Sequence, residues 1–162
     1  MDDTQLQEDS IKIPGRWDIP YEYAAGKTAT RFFRELRDHQ RILARRCPSC
    51  QRTLLPPRSF CERCFVSTDE WVEVGPEGKV ESFTVTYQSF PGLRKPPYTI
   101  ALIRLDGASM SLAHFLGEID PTKPKAIMER LQKGLRVVAV FKKERTGSIL
   151  DIEYFRPVEA MS

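Results

Sequence analysis

The chain has 162 residues, of which 41% are hydrophobic and 29% are charged, and its formal net charge is +3. These values are ordinary for a globular protein, so they exclude a wholly disordered chain or a fibre. The length suits one domain of typical size or two small ones. The longest unbroken aliphatic and aromatic run, residues 137–141, is five residues long. Because a bilayer span needs about 20 apolar residues, no transmembrane helix is predicted.

Residues 1–20 are predicted to form a flexible arm, because they carry several acidic side chains and few large apolar ones. The first ten residues lack the basic region and the apolar region of a secretory signal, which predicts a cytoplasmic protein.

Residues 21–40 are predicted to contain an amphipathic helix that begins near Thr28. Its apolar face is formed by Phe32, Phe33 and Leu36, and its basic face includes Arg31, Arg34 and Arg37. A helix this short is not stable alone, so its apolar face must pack against the rest of the chain or against a partner. Partner docking is the role that we expect for this face.

Positive charge is concentrated around this helix and the segment that follows it. Residues 27–64 contain ten basic and three acidic side chains, a formal charge of +7, which leaves −4 for the rest of the chain. Such a cluster can bind an anionic partner, although a solvated basic surface is the more common explanation.

The four cysteines of the chain lie in residues 41–70 and have the spacing of a metal site. They form two C-x2-C pairs separated by ten residues, Cys47, Cys50, Cys61 and Cys64. Two such turns place four thiolates around one tetrahedral centre, which predicts a single structural zinc ion, with iron, as in rubredoxins, as the alternative. Disulfides are disfavoured in a reducing cytoplasm.

Residues 71–157 are predicted to form a five-stranded OB-fold barrel, and residues 158–162 a tail. Alternating patterns predict strands at 79–87, 98–105, 109–116, 136–143 and 149–155, with a helix over 121–133. Three strands, a helix and two strands is the element order of an OB fold. A small open sheet with a packed helix is the alternative. The fold class is therefore mainly β, with an N-terminal helix and a zinc ribbon.

No self-sufficient active site is visible in the sequence. A closed four-thiolate site leaves no free thiol, and His114 is expected to be a core histidine in a strand. A binding module remains, with two open ligand classes. Single-stranded nucleic acid could stack on Tyr87, Phe90 and Tyr98, whereas arginines could bind the phosphates of a small ligand such as coenzyme A. Residues 65–162 contain 13 basic and 13 acidic side chains and so carry no net positive charge, which disfavours nucleic acid.

The sequence resembles a family of zinc-ribbon and OB-fold proteins associated with acyl-CoA enzymes, known as domain of unknown function thirty-five. The resemblance extends from about residue 17 to residue 157. The matching segments are WDIPYEYAAGKTATRFFREL before and within the helix, ARRCPSCQRTLLPPRSFCERCF in the ribbon, and VESFTVTYQSFPG, PPYTIALIRLDG, GLRVVAVFKKE and ILDIEYFRP in the barrel.

This resemblance implies an accessory subunit that has no activity alone and binds a thiolase-superfamily protein, which carries the catalytic cysteine. It implies acyl-CoA as the ligand of the complex, and thiolytic cleavage of an aromatic acyl-CoA such as benzoylsuccinyl-CoA as one candidate reaction. Composition, rather than a family motif, suggests the residues that contact the ligand. They are Tyr87, Phe90, Arg94, Lys95 and Tyr98, with Arg34 and Arg37 as further phosphate ligands.

Overall fold

We analysed a computed structural model, which describes residues 19–89, 94–132 and 134–158. The described chain contains two α-helices, eight strands and one short 3-10 helix. In chain order they are α1 (Gly26–His39), β1 (Ile42–Arg46), β2 (Thr53–Leu54), β3 (Glu70–Val74), β4 (Glu77–Thr86), β5 (Tyr98–Leu105), β6 (Ser111–Leu116), α2 (Pro124–Gln132), β7 (Arg136–Phe141), the 3-10 helix (Ile149–Asp151) and β8 (Ile152–Pro157).

The helix α1 begins two residues earlier than the sequence pattern predicts. Ala25 precedes it and no side chain caps its first turn. Thr28, where the pattern places the start of the helix, lies within its first turn, and its hydroxyl accepts a hydrogen bond from the Arg45 guanidinium at 3.1 Å. The helix ends at His39 and is capped by Gln40, which has a left-handed backbone and whose N–H donates to the Glu35 carbonyl.

The zinc ribbon is built on a three-stranded antiparallel sheet in the order β2-β1-β3, with β1 in the centre. The sequence did not predict these strands separately. The strand β3 lies partly beyond residue 70, where the sequence places the end of the ribbon. The end of β3, which we call the base of the ribbon, therefore leads directly into the barrel strand β4, which begins after two residues.

The predicted five-stranded barrel is confirmed. The strands close in the order β4-β5-β6-β8-β7, and β7 pairs with β4. All neighbours are antiparallel except β6 and β8, which pair in parallel where Leu116 meets Phe155. The residue Gly78 lies in β4 where this strand pairs with both β5 and β7, and a Cβ atom there would stand 2.5 Å from the Arg104 carbonyl oxygen. Only glycine fits such a close approach.

The predicted fifth strand, residues 149–155, requires a correction. Its first three residues form a 3-10 helix, and the strand begins at Ile152. The reason is Asp151, whose carboxylate accepts hydrogen bonds from the backbone N–H groups of Thr146, Gly147 and Ser148 at 2.8–3.1 Å. These bonds hold the preceding loop in a tight turn that an extended chain could not form.

One hydrophobic core joins the helix, the base of the ribbon and the barrel. It contains Phe32 and Leu36 from α1, Ile42 and Val74 from the ribbon sheet, and Phe155 from the barrel among other buried side chains. A smaller cluster surrounds the cysteines. Among the described residues, no helix has the length and apolar character needed to cross a membrane.

Candidate metal centre and ligand face

The four predicted metal ligands converge. The sulfur atoms of Cys47, Cys50, Cys61 and Cys64 all lie within 4.8 Å of one another. The Sγ atoms of Cys50 and Cys61 are 3.8 Å apart, which is about the separation that a tetrahedral ion with 2.3 Å metal–sulfur bonds requires. Cys47 and Cys61 are buried, whereas Cys50 and Cys64 are partly exposed.

The two cysteine pairs lie in turns with the same hydrogen-bond pattern. In the first turn the Cys47 N–H donates to the Arg52 carbonyl at 2.9 Å, and the Gln51 N–H donates to the Cys47 carbonyl at 3.0 Å. In the second turn Cys61 and Phe65 make the equivalent bonds, at 2.9 and 2.8 Å. We call these turns knuckle 1 (residues 47–52) and knuckle 2 (residues 61–66). The repeated pattern explains how the two turns present their thiolates to one centre.

Polar contacts fix the ribbon against the barrel. The Thr53 N–H donates to the Ser109 hydroxyl at 3.0 Å, and the Ser109 N–H donates to the Thr53 carbonyl at 2.9 Å. Ser109 lies between β5 and β6, so this pair connects the ribbon with the barrel.

An ion pair joins the two knuckles. The Glu62 carboxylate of knuckle 2 pairs with Arg52 of knuckle 1 at 2.9 Å, and it also pairs with Arg58 at 3.4 Å.

The donor set fits a closed structural metal site. Four thiolates suit zinc, and they suit iron in the rubredoxin manner as well. All four positions are protein ligands, so a metal bound here would hold the ribbon together without an open coordination position for substrate.

The residues predicted to contact the ligand are only partly brought together. Arg94 stacks on Phe115, with its guanidinium carbon 4.4 Å from the ring centre, and donates to the Glu153 carbonyl at 2.6 Å. Tyr98 contacts the same Phe115 ring edge to face at 5.6 Å, but it is only 8% exposed. Tyr98 is thus a core residue in this fold rather than an exposed stacking platform.

The other predicted contacts in this region are exposed or lie outside the described chain. Tyr87 is 64% exposed, and its hydroxyl donates to the Pro121 carbonyl at 3.4 Å. Lys95 is exposed next to Arg94. Phe90 lies outside the described residues.

Arg34 and Arg37 lie on α1, which comes before the ribbon in the chain, whereas the residues of this group come after it. Arg34 is exposed and lines an open groove of about 740 Å³ with Lys27 and Arg31. Arg37 is paired with Asp38 at 2.7 Å, and its carbonyl accepts a hydrogen bond from Arg145.

The expected partner-docking face of α1 requires a correction. Phe32 and Leu36 are 2% and 0% exposed, and Phe33 is partly buried against the same core. This apolar face therefore packs on the chain's own ribbon and barrel, which is the intramolecular alternative that the helical pattern left open.

The sequence missed an apolar pocket on the barrel. It has a volume of about 200 Å³ and is lined by Ile100, Ala113, His114, Phe115, Ile149 and Leu150. These residues come from β5, β6 and the 3-10 helix. Only the β5 and β6 patterns could have signalled the pocket, because the short helix was predicted as a strand.

His114 lies at the inner side of this pocket and is 5% exposed. Its Nδ1 atom accepts the Phe115 N–H at 2.9 Å, and its Nε2 atom lies 3.2 Å from the Ile149 carbonyl, to which it donates in the neutral ring. Burial lowers the pKa of His114 below its ordinary value. The expected core histidine is thus confirmed.

Comparisons with known proteins agree with this architecture. Residues 34–70 match the family model of the rubredoxin-like zinc ribbon domain of ChsH2, and residues 71–142 match the model of the C-terminal OB-fold domain of ChsH2. The chain therefore contains two domains of the ChsH2 type, a zinc ribbon followed by an OB fold. The two matches are adjacent, and the boundary between them lies within the strand β3.

Similar proteins cover most of the ChsH2-like chain. A DUF35 domain-containing scaffold protein of Methanocaldococcus jannaschii is 28% identical over 139 residues, which are 82% of this chain and 93% of the relative. A DUF35 protein of unknown function from Sulfolobus solfataricus has a TM-score of 0.55 and 25% identity, covering 82% of this chain and 84% of the other. A chain of the Ltp2-ChsH2(DUF35) aldolase has a TM-score of 0.57 and 24% identity, with 83% and 98% coverage.

Proposed function

We propose that this chain is an accessory subunit that binds an acyl-CoA-processing enzyme of the thiolase superfamily and leaves the bond-making steps to that enzyme. The observation that carries the proposal is the similarity to a DUF35 scaffold protein along 93% of that relative's length. The ChsH2 chain among the structural neighbours belongs to an aldolase with Ltp2. Both descriptions favour a chain that works within a complex.

The four cysteines and His114 of the described ribbon and barrel have structural roles, which supports this proposal. The four cysteine sulfurs face one another at the metal centre. Both ring nitrogens of His114 are engaged by the backbone. We propose that the nucleophile and the proton-transfer group come from the partner, a thiolase-superfamily enzyme that carries its own catalytic cysteine.

We further propose that the pocket beside Arg94 contacts acyl-CoA. Complete small-molecule sites enclose about 300–1,000 Å³, whereas this pocket encloses about 200 Å³. The pocket is therefore suited to part of a ligand, and the partner would supply the rest of the site. Arg94 stacks on the pocket residue Phe115, and the exposed Lys95 follows Arg94 in the chain, so we propose both as phosphate ligands. Thiolytic cleavage of an aromatic acyl-CoA such as benzoylsuccinyl-CoA is the first reaction to test, with aldol cleavage as the second.

The test is co-expression of the tagged chain with a thiolase-family enzyme encoded beside it. We expect a stoichiometric complex on size exclusion, activity of the complex with acyl-CoA, and no turnover by the chain alone. A complex that fails to form, or turnover by the isolated chain, would contradict the proposal.

A charge-reversal variant tests the ligand face within that complex. We expect Lys95→Glu to raise KM for acyl-CoA by about tenfold, because one phosphate contact is worth roughly 1.4 kcal/mol. Lys125→Glu is the matched control, because Lys125 is also an exposed lysine but lies on α2, away from Arg94 in the chain. Equal KM values for the two variants would place the ligand elsewhere.

A further inference from the structure

Phe65 is the most exposed large hydrophobic side chain of the described chain, at 83%. It lies at the tip of knuckle 2 in a left-handed backbone conformation with φ of 55°. A bulky residue rarely adopts this conformation, in which glycine and asparagine are the usual choices. Two unfavourable features, the backbone conformation and the exposed ring, thus coincide at one residue.

Knuckle 1 shows that the metal site does not need an aromatic side chain at this position. Gln51 occupies the equivalent place, with φ of 58° and the same backbone hydrogen bond to the first cysteine. Its side chain folds back and donates to the Pro48 carbonyl at 2.8 Å. Local stability therefore explains the residue at the tip of knuckle 1 and does not explain Phe65.

The charges around Phe65 indicate what it contacts. Glu62 is already paired with Arg52 and Arg58, whereas Arg63 is exposed and makes no ion pair within the described chain. Phe60, which is 51% exposed, lies at the base of the same hairpin, where it pairs with Ser67. Phe65 in knuckle 2 and Phe60 just before it therefore present two aromatic rings to solvent, beside the Arg63 cation that has no ion partner within the described chain.

We propose that Phe65 is an anchor that inserts into an apolar pocket with an acidic rim on the acyl-CoA enzyme, with Arg63 facing that rim. This inference rests on the proposed function, because it names the contact through which that partner binds. Aromatic residues and arginine are enriched at the centres of protein interfaces, where a few residues carry most of the binding energy.

A protein surface suits knuckle 2 better than a nucleic acid does. Four thiolates around one divalent ion leave a net negative charge beneath the knuckle tips, which disfavours phosphates. Arg58, the other nearby arginine, shares the Glu62 carboxylate with Arg52. Arg63, the one arginine of knuckle 2, is far from the row of basic groups that holds a nucleic-acid backbone.

The test compares Phe65→Gln with Gln51→Ala in the full chain, by measuring Kd for the purified enzyme that forms the complex with wild type. Phe65→Gln installs the side chain of the equivalent position in knuckle 1, so zinc content and Tm should stay at wild-type values. We expect its Kd to rise about 30-fold or more, as for a central anchor. Gln51→Ala should change Kd by less than about threefold.

The outcomes separate this inference from the proposed function. If wild type binds the enzyme and Phe65→Gln binds it within threefold of wild type, the docking inference is wrong and the proposed function stands. If wild type binds no such enzyme, the proposed function itself fails. If Phe65→Gln loses only the binding of a single-stranded oligonucleotide, Phe65 belongs to a nucleic-acid surface and the docking inference is overturned. Should Phe65→Gln lose zinc, Phe65→Gly removes the ring in a conformation that glycine favours, and the same Kd criterion applies.

Discussion

Asp151 shows how one buried carboxylate determines the local course of the chain. The residue is 2% exposed, and its oxygens accept three backbone N–H groups from residues 146–148. Burial acts to raise the pKa of Asp151, but the three hydrogen bonds outweigh it and hold the pKa below its ordinary value. The ionised form is therefore the form that the fold stabilises.

Loss of this carboxylate should destabilise the fold. Asp151→Asn should lower the free energy of unfolding by about 2 kcal/mol at pH 7, because one oxygen is replaced by an amide that cannot accept the same bonds. Chemical denaturation measures the difference. Glu144→Gln, an exposed neighbour, is the control and should match wild type.

The pH dependence of this effect has a definite sign. A lowered folded pKa gives stabilisation that is complete above the unfolded value of about 3.9 and is lost as the pH falls through the folded pKa. The difference between wild type and Asp151→Asn should therefore shrink as the pH is lowered from 5 to below the folded pKa. A difference that stays constant on acidification would contradict this account.

At the scale of elements, the helix α1 is part of the core of this chain. Phe32→Ala should lower the free energy of unfolding by about 3–5 kcal/mol, because it removes a buried ring and leaves a cavity. Thermal melting of the isolated chain measures this effect. Arg34→Ala, on the exposed side of the same helix, should change stability by less than about 0.5 kcal/mol. A Phe32→Ala chain that melts like wild type and only loses its partner would restore the docking role of this face.

We expect the ribbon to depend on a bound metal, because the apolar cluster around the cysteines is small. Its buried members in the described chain are Cys47, Leu54 and Cys61, which is too little apolar surface to hold the knuckles. Cys61→Ser should reduce zinc from about one ion per chain to near zero and lower Tm by about 10 °C or more. Metal analysis and melting measure both quantities. Ser67→Ala is the control, and an unchanged metal content in Cys61→Ser would refute the site.

At the scale of the whole molecule, the helix, ribbon and barrel share one core. The ribbon is also fixed to the barrel by the reciprocal hydrogen bonds of Thr53 and Ser109. Knuckle 2 and the pocket beside Arg94 are therefore carried on one connected scaffold. The distance and orientation between knuckle 2 and the pocket are therefore fixed. An enzyme that docks on knuckle 2 would have the pocket held in a constant position, as an accessory subunit of the proposed kind requires.

The sequence by itself determined the metal site and the order of the barrel strands. The four ligands lie within one short segment, and the chemistry of thiolate spacing needs no knowledge of distant residues. The alternating patterns likewise fixed the barrel, although they misread residues 149–151, where a side chain bonds to the backbone and overrides the local pattern.

Only the tertiary structure decided which surfaces remain exposed. The amphipathic pattern of α1 could not tell whether Phe32 and Leu36 pack against this chain or another. The spacing of apolar residues identifies the side of a helix that is buried, but it does not identify what buries that side. Arg94, Phe115 and Glu153 meet although Arg94 and Glu153 are 59 residues apart. Such contacts arise from closure of the barrel, which brings together strands whose order in space differs from their order in the chain. The exposure of Phe65 depends in the same way on what the rest of the fold leaves uncovered.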